Sequence, residues 1–164
     1  MTKKLSNSDF SKINELLDGA KIISKKEFDR RVQLNPSWKR IDEGTDYNTM
    51  KVTHYDIANT ELIEILNKIS GCSSKDISSL HTVTYTEGEF LRPHLDRSSK
   101  VTLNILLEAD CDGGELYIDG KDSGLNFPGD YVIYNGGKQE HEVKLIKKGK
   151  RKTLIIWYDK KILM

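Results

Sequence analysis

Apolar residues in the first half of the chain recur at the spacing of an α-helix in two segments. The first pattern predicts a helix over residues 9–17, with Ser8 as its N-cap and Gly19 just beyond its end. The second predicts a helix over residues 60–69, followed by Gly71 in the position of a C-cap glycine. We expect the helices to support a sheet, because neither carries a pattern that suggests chemistry.

From Ser79 onward the apolar residues fall in short runs, separated by turns that contain glycine. The run Val101–Leu107 is nearly continuous in apolar and β-branched residues, which predicts a central strand. Shorter runs predict further strands at residues 22–23, 50–55, 80–85, 115–118, 131–134, 141–145 and 152–158. Many short strands after two helices predict an α+β, mainly β fold, with the helices on one side of a sandwich or barrel.

Residues 34–50 mix Pro, Gly, Asn and Asp, and therefore predict a long loop. A loop of this length in a small domain is typically either functional or a linker. Trp38 and Tyr47 favour a lid that contacts substrate. The alternative is that both rings pack against the surface.

Length and composition limit the class of protein. The chain of 164 residues fits one domain, with a helical and strand part at 1–78 and a core of strands at 79–160. The formal net charge of +1 argues against a surface that attracts nucleic acid, and no apolar run is long enough to span a membrane. The start lacks the apolar stretch of a signal peptide, and Cys72 and Cys111 make no disulfide framework. We therefore expect a cytoplasmic protein.

The candidate chemistry centres on His94 and Asp96, which are two residues apart. On an extended strand this spacing places both side chains on one face, where they can meet one small cation. His141 is the candidate for a second histidine ligand. Two histidines and one carboxylate, with the other metal positions open, form the triad of non-haem Fe(II) oxygenases. The remaining histidines, His54 and His81, fit ordinary surface or core positions.

Arg151 follows ten residues after His141, between Lys150 and Lys152. Strand alternation places Arg151 on the face opposite to both lysines, so that it faces inward if they face water. A buried guanidinium requires an anion, and its planar fork matches a carboxylate. The pattern therefore predicts a site for a co-substrate that carries a carboxylate.

These residues resemble the Fe(II)- and 2-oxoglutarate-dependent dioxygenases, and within that superfamily the prolyl 4-hydroxylase-like branch. The resemblance runs from about Leu80 to Tyr158, roughly the last half of the chain. Its motifs, in chain order, are Tyr85-Thr-Glu-Gly88, His94-x-Asp96, Gly113-Gly114-Glu115-Leu116, Pro128-Gly129-Asp130, His141-Glu142-Val143 and Gly149-x-Arg151.

The resemblance implies a double-stranded β-helix, or jelly roll, and a hydroxylation coupled to decarboxylation of 2-oxoglutarate to succinate. Fe(II) and O2 would take part, with ascorbate as the reductant. The implied Fe(II) ligands are His94, Asp96 and His141. The implied 2-oxoglutarate contacts are Arg151, Tyr85 and Thr102. Leu91 and Leu106 stand where the family often has tyrosine, so fewer hydroxyls should reach the co-substrate.

The implied substrate is a prolyl residue of a peptide or protein, on which this branch largely acts. Arg92, Trp38 and Tyr47 are candidates for contacts with it. A free amino acid or another small molecule is an alternative, because the chain is small. A nucleobase is disfavoured, because the chain has no stripe of basic and aromatic residues.

Two other classes of protein remain. A cupin-like metal protein would use the same ligands without 2-oxoglutarate and would not need Arg151. A binding module on the same fold is disfavoured, because all three ligand residues and Arg151 are present.

Overall fold

The computed structural model describes residues 2–23, 50–57, 61–96 and 99–159. Trp38 and Tyr47 lie outside the described residues, so the lid that they suggest stays a prediction. The described part of the chain contains two helices, α1 (Asn7–Asp18) and α2 (Glu61–Ser70). Neither of them is long and apolar enough to cross a membrane.

The described strands form two antiparallel sheets of six and four strands. In chain order they are β1 (Lys3–Lys4), β2 (Lys51–His54), β3 (Ile77–Thr86), β4 (Leu91–His94), β5 (Val101–Gly113), β6 (Leu116–Ile118), β7 (Lys121–Asp122), β8 (Asp130–Tyr134), β9 (His141–Val143) and β10 (Ile146–Tyr158). The larger sheet has the order β1-β8-β5-β10-β3-β2, and the smaller has the order β4-β9-β6-β7. This arrangement is a jelly roll, which confirms the expected fold class.

The two faces of the larger sheet pack into different cores. On one face, Leu103 and Ile156 pack in a cluster with Ile13 of α1 and Leu66 of α2, so the helices support the sheet as expected. The core of the other face lies against the smaller sheet. It consists of Val83, Tyr85, Leu91, Leu106, Leu116, Leu125, Val132, Tyr134, Val143 and Ile146. The functional residues described below line the interior between this second face and the smaller sheet.

The start of α1 differs from the prediction. The N-cap is Ser6, whose Oγ accepts a hydrogen bond from the backbone N–H of Asp9 at 3.1 Å, and Ser8 lies in the first turn. Serine is a favourable N-cap at either position, so composition does not distinguish them. At residues 22–23 the structure has an isolated bridge from Ile22 to Tyr55 where a short strand was predicted.

Strands β5 and β10 are thirteen residues each, which is longer than predicted. Many of their additional residues are charged, and opposite charges face each other across the pair. The cross-strand partners are Lys148 with Asp112, Lys150 with Asp110 and Lys152 with Glu108. Such pairs stabilise an antiparallel ladder and neutralise the basic run near the end of the chain.

Gly149 lies within β10, where the sequence predicted a turn between strands. Its φ is +89°, and a Cβ atom there would lie 2.0 Å from the backbone oxygen of Asp110. Only glycine accommodates both this backbone conformation and this close approach.

We expect Gly149→Ala to lower the free energy of unfolding by more than about 2 kcal/mol, because strain at positive φ and a backbone clash add. Gly120→Ala is the matched control. Its φ is +76° and a Cβ would meet nothing within 4 Å, so strain alone should cost about 1 kcal/mol. Urea unfolding of both variants checks the difference. Equal losses of stability in the two variants would contradict a backbone clash at position 149.

Candidate metal and anion site

The structure brings together the three side chains that the spacing suggested as metal ligands. His94 at the end of β4 and His141 at the start of β9 are partners in the strand register. Their ring centroids are 4.3 Å apart. Together with Asp96 they are buried, and one potential ligand atom from each lies within 4.8 Å of the others.

Both imidazole rings are oriented in the same way by the backbone. Nδ1 of His94 lies 2.7 Å from the carbonyl oxygen of Arg92, and Nδ1 of His141 lies 2.9 Å from that of Gln139. A carbonyl can only accept a hydrogen bond, so Nδ1 carries the proton in each ring. In each ring the lone pair of Nε2 therefore points towards Asp96. These two carbonyl groups are the hydrogen-bond partners of the candidate ligand histidines, and the sequence alone did not identify them.

The atoms that face each other in this cluster fit a cation. His94 Nε2 and Asp96 Oδ1 are buried 3.4 Å apart, and neither has a hydrogen-bond partner among the described residues. His141 Nε2 lies 2.8 Å from Asp96 Oδ2. Lone pairs in such contact require a proton or a metal ion between them. Two imidazole nitrogens and one carboxylate suit a divalent transition metal.

Electrostatics keep the carboxylate charged. Burial acts to raise the pKa of Asp96, but the close approach of the His141 and His94 imidazoles outweighs burial and lowers that pKa to about 2. Burial acts to lower the pKa of His94, and its interactions with Asp96 outweigh that effect and raise it. A cation would therefore meet an ionised carboxylate.

Asp96 is positioned by a close-packed turn. Its backbone N–H donates to the carbonyl of Gly136 at 2.7 Å. A Cβ at Gly136 would lie 2.7 Å from Thr102 Oγ1 and 3.5 Å from Asp96 Cβ. The Thr102 hydroxyl is hydrogen bonded to Ser99 Oγ at 2.6 Å. Thr102 pairs with Trp157 in the strand register whereas Arg151 pairs with Ala109, and the predicted contact of Thr102 with the co-substrate stays a prediction.

Arg151 is buried, with 3% of its surface exposed. Its Nη2 donates to the carbonyl oxygen of Leu125 at 2.8 Å. Within the described ranges no carboxylate lies within ion-pair distance of its guanidinium. Burial lowers the pKa of Arg151, yet guanidinium remains charged in proteins. The inward position that alternation predicted is therefore correct, and the side chain can accept an anionic ligand.

Tyr85 lies beside Arg151 on the neighbouring strand, as its partner in the register. The Tyr85 side chain is buried, and burial raises the pKa of its hydroxyl well above the ordinary value. The hydroxyl therefore stays protonated and can donate a hydrogen bond near the guanidinium. This place is compatible with the co-substrate contact that the sequence analysis expected.

Three polar residues that the sequence analysis did not single out face the same interior. Asn104 Oδ1 and Thr153 Oγ1 are buried and have no hydrogen-bond partner among the described residues. The ring of Tyr134 packs edge-on against His141, with centroids 5.0 Å apart. Burial and the charge of Asp96 raise the pKa of Tyr134, and a hydrogen bond with Asn104 acts in the opposite direction.

Strand alternation contained the signal for these residues. Asn104 is two residues after Thr102, and Thr153 is two residues after Arg151, so each shares the face of a residue already singled out. Tyr134 adds a hydroxyl to an interior in which Leu91 and Leu106 are buried core residues. The interior is therefore more polar than those two leucines suggested.

A row of three rings, Trp157, His81 and His54, crosses strands β10, β3 and β2 of the larger sheet. The indole of Trp157 meets His81 at 4.9 Å in a T-shaped contact, and His81 lies 5.3 Å from His54. His81 Nδ1 is 2.8 Å from Ser79 Oγ. Burial, and to a smaller extent the neighbouring His54, lowers the pKa of His81 to about 3. His81 is therefore uncharged at neutral pH.

Among the residues suggested for substrate, Arg92 is exposed on β4. Its backbone carbonyl fixes His94. Its predicted contact with substrate stays a prediction, as do those of Trp38 and Tyr47.

The fold and the buried residues together define a jelly roll whose interior holds a His–Asp–His cluster and a separate buried arginine. No family model matches the sequence, and a search of curated proteins finds no match. Solved structures of similar fold include two hydroxylases.

One is a prolyl 4-hydroxylase from Pseudomonas putida, with a TM-score of 0.60 and 16% identity over 98% of this chain and 92% of that chain. The other is a viral collagen prolyl hydroxylase from Paramecium bursaria Chlorella virus-1, solved with 2-oxoglutarate. Its TM-score is 0.60, with 15% identity over 96% of this chain and 93% of that chain. The chain shares the fold of these hydroxylases over nearly its whole length.

We expect His81→Gln to reduce the loss of stability in mild acid. The folded pKa of about 3 lies below the ordinary value of 6.5, so between these values the unfolded chain binds a proton that the folded protein excludes. The contribution of neutral His81 to the free energy of unfolding is fully present above about pH 6.5, and it falls by about 1.4 kcal/mol per pH unit below that value. Urea unfolding near about pH 7 and about pH 5.5 compares both proteins. The same loss of stability in the wild type and in His81→Gln would contradict the lowered pKa of His81.

Proposed function

We propose that this protein is an Fe(II)- and 2-oxoglutarate-dependent dioxygenase that hydroxylates an unactivated C–H bond. One observation supports this most directly. The interior between the two sheets contains the unpartnered ligand atoms of His94 and Asp96, and it also contains the buried Arg151, which lacks a carboxylate partner in the described part of the chain. Such an interior suits a cation and an organic anion bound together.

The residues divide this task. His94, Asp96 and His141 would hold Fe(II), and their Nδ1 contacts with backbone carbonyls keep the rings in place before the metal binds. Arg151 would bind the far carboxylate of 2-oxoglutarate, with a hydrogen bond from Tyr85. When bound, the iron supplies the activation of O2 that drives hydroxylation and the conversion of 2-oxoglutarate to succinate.

The other interior residues would position the co-substrate and keep water out. Thr153 lies on the same strand face as Arg151, and its unpartnered hydroxyl can donate to the same ligand. Leu91, Leu106 and Val83 form apolar surface between the sheets. An apolar surrounding strengthens the attraction between Arg151 and a carboxylate.

The finer proposal is that the target is a prolyl residue of a peptide or protein. The two solved structures described above are of prolyl hydroxylases. The contact between Trp157 and the neutral His81 supports the same choice, because uncharged rings suit an uncharged ring next to peptide groups. The Trp157 indole N–H is buried and has no acceptor among the described residues, so it can donate to a substrate carbonyl. Ascorbate as reductant rests on the family resemblance alone.

Anaerobic titration of the purified protein with Fe(II) and 2-oxoglutarate tests the main proposal. We expect a visible metal-to-ligand charge-transfer band. His94→Ala should abolish the band, because a metal ligand is lost. Arg151→Gln should retain iron but raise the Kd for 2-oxoglutarate by roughly 30-fold or more, the effect of losing about 2 kcal/mol at a buried charge pair.

Lys150→Ala is the matched control, since Lys150 is exposed on the same strand and faces away from the interior. Its band should equal that of the wild type. If Arg151→Gln binds 2-oxoglutarate as tightly as the wild type does, the co-substrate site is wrong. A cupin-like protein that uses the metal without 2-oxoglutarate would then account better for the fold.

Trp157→Phe tests the substrate proposal, because it removes the indole N–H and retains a ring. For a proline-containing peptide that stimulates succinate formation, we expect KM to rise roughly 5- to 10-fold, the loss of one hydrogen bond. The 2-oxoglutarate band should be unchanged. An unchanged KM together with weaker 2-oxoglutarate binding would place the indole on the co-substrate instead.

A further inference from the structure

We propose that the segment Thr2–Leu5 positions Arg151 for the co-substrate carboxylate, and that it acts through the loop Ser123–Gly129. The inference rests on the proposed function of Arg151. It assigns to the start of the described chain a role in 2-oxoglutarate affinity, although this segment does not touch the interior site.

The first step of the connection is the hydrogen bond from Arg151 to the loop. Leu125 is fully buried, and its carbonyl oxygen accepts from Arg151 Nη2 at 2.8 Å. A guanidinium has five N–H donors in one plane, so a fixed acceptor on one of them sets the direction of the others. The position of the Leu125 carbonyl therefore orients the donors that remain for a ligand.

The second step is that the loop is anchored to the sheets at both of its ends. The Ser123 N–H donates to the Leu116 carbonyl at its start, and the Gly129 N–H donates to the Leu106 carbonyl at its end, both at 2.9 Å. Between these points Leu125 is held by the hydrogen bond from Arg151 to its carbonyl and by its buried side chain, and its N–H donates to Ser123 Oγ at 3.3 Å. A shift of Ser123 would therefore move Leu125.

The third step is that Thr2–Leu5 holds both ends of the loop from outside. Thr2 Oγ1 donates to the carbonyl of Ser123 at 2.5 Å, and the Leu5 N–H donates to the carbonyl of Gly129 at 2.9 Å. Between them, β1 pairs with β8, and Lys4 forms a 3.5 Å ion pair with Asp130. The loop is thus held between the sheet and this segment.

Close packing makes the same contacts rigid. A Cβ at Gly124 would lie 3.3 Å from Thr2 Oγ1, so the backbone of the loop rests against the threonine. At the other end, a Cβ at Gly129 would lie 3.6 Å from the ring of Phe10, and α1 therefore supports the loop as well. Thr2 and Phe10 thus contact opposite ends of the loop.

The metal ligands do not depend on this segment. His94 and His141 are oriented by the carbonyls of Arg92 and Gln139, and Asp96 by Gly136. Weakening the contacts of Thr2 should therefore lower the affinity for 2-oxoglutarate and leave the affinity for the metal unchanged. A general loss of stability would instead affect both.

The test compares Thr2→Val, which removes the hydroxyl at nearly constant shape, with Thr2→Ser, which retains it. Anaerobic titration of the iron-loaded protein should give a Kd for 2-oxoglutarate that rises roughly 2- to 10-fold in Thr2→Val, the range for one hydrogen bond. Thr2→Ser should restore the wild-type value, and the Kd for Fe(II) should stay the same in all three proteins. Amide hydrogen exchange of residues 123–129 should become faster only in Thr2→Val.

The outcomes are distinct. No binding of 2-oxoglutarate by the wild type would refute the proposed function itself. Wild-type binding with an equal Kd in Thr2→Val would overturn this inference alone. A parallel rise of the Kd values for Fe(II) and 2-oxoglutarate would also overturn it, because it would show general destabilisation.

Discussion

Polar and charged atoms buried without partners are the constraint on which the interior of this protein depends. A buried charge is costly unless an opposite charge or a hydrogen bond compensates it. Asp96 is ionised and faces the lone pairs of two imidazoles. Arg151 is buried, and its guanidinium donates a hydrogen bond to the carbonyl oxygen of Leu125. Two ligands of opposite charge, a metal cation and a carboxylate, would compensate both positions at once.

The jelly roll arranges these groups through its two sheets. The smaller sheet pairs β4 with β9 and thereby places His94 opposite His141. The larger sheet brings Arg151 beside Tyr85 through the pairing of β10 with β3. The helices pack on the far face of that sheet and contribute stability. The interior between the sheets is left for polar side chains, and Thr2–Leu5 supports the loop next to Arg151 from outside.

The sequence was sufficient for the residues whose position follows from short-range spacing. His94 and Asp96 share a strand face, and Lys150 and Lys152 indicate the inward direction of Arg151. Contacts between distant segments were not predictable in this way. The carbonyls that orient the histidines, the Leu125 carbonyl on Arg151 and the role of Thr2 all depend on how loops meet across the fold.

Some errors have local physical causes. The charged ends of β5 and β10 carry no apolar alternation, and so these strands were predicted too short, whereas opposite charges face each other across the strand pair in the structure. Gly149 suggested a turn, but its positive φ allows a close approach inside a strand. Asn104 and Thr153 were overlooked because polar residues in a strand usually face solvent. In this protein both side chains are buried in the interior.

The most direct test of the account is a crystal structure obtained anaerobically with Mn(II) as a redox-inert substitute for Fe(II) and with 2-oxoglutarate. The account predicts one metal ion bound by His94 Nε2, His141 Nε2 and Asp96, and a carboxylate of the co-substrate hydrogen bonded to Arg151. A metal ion bound elsewhere, or a co-substrate whose carboxylate does not reach Arg151, would contradict it.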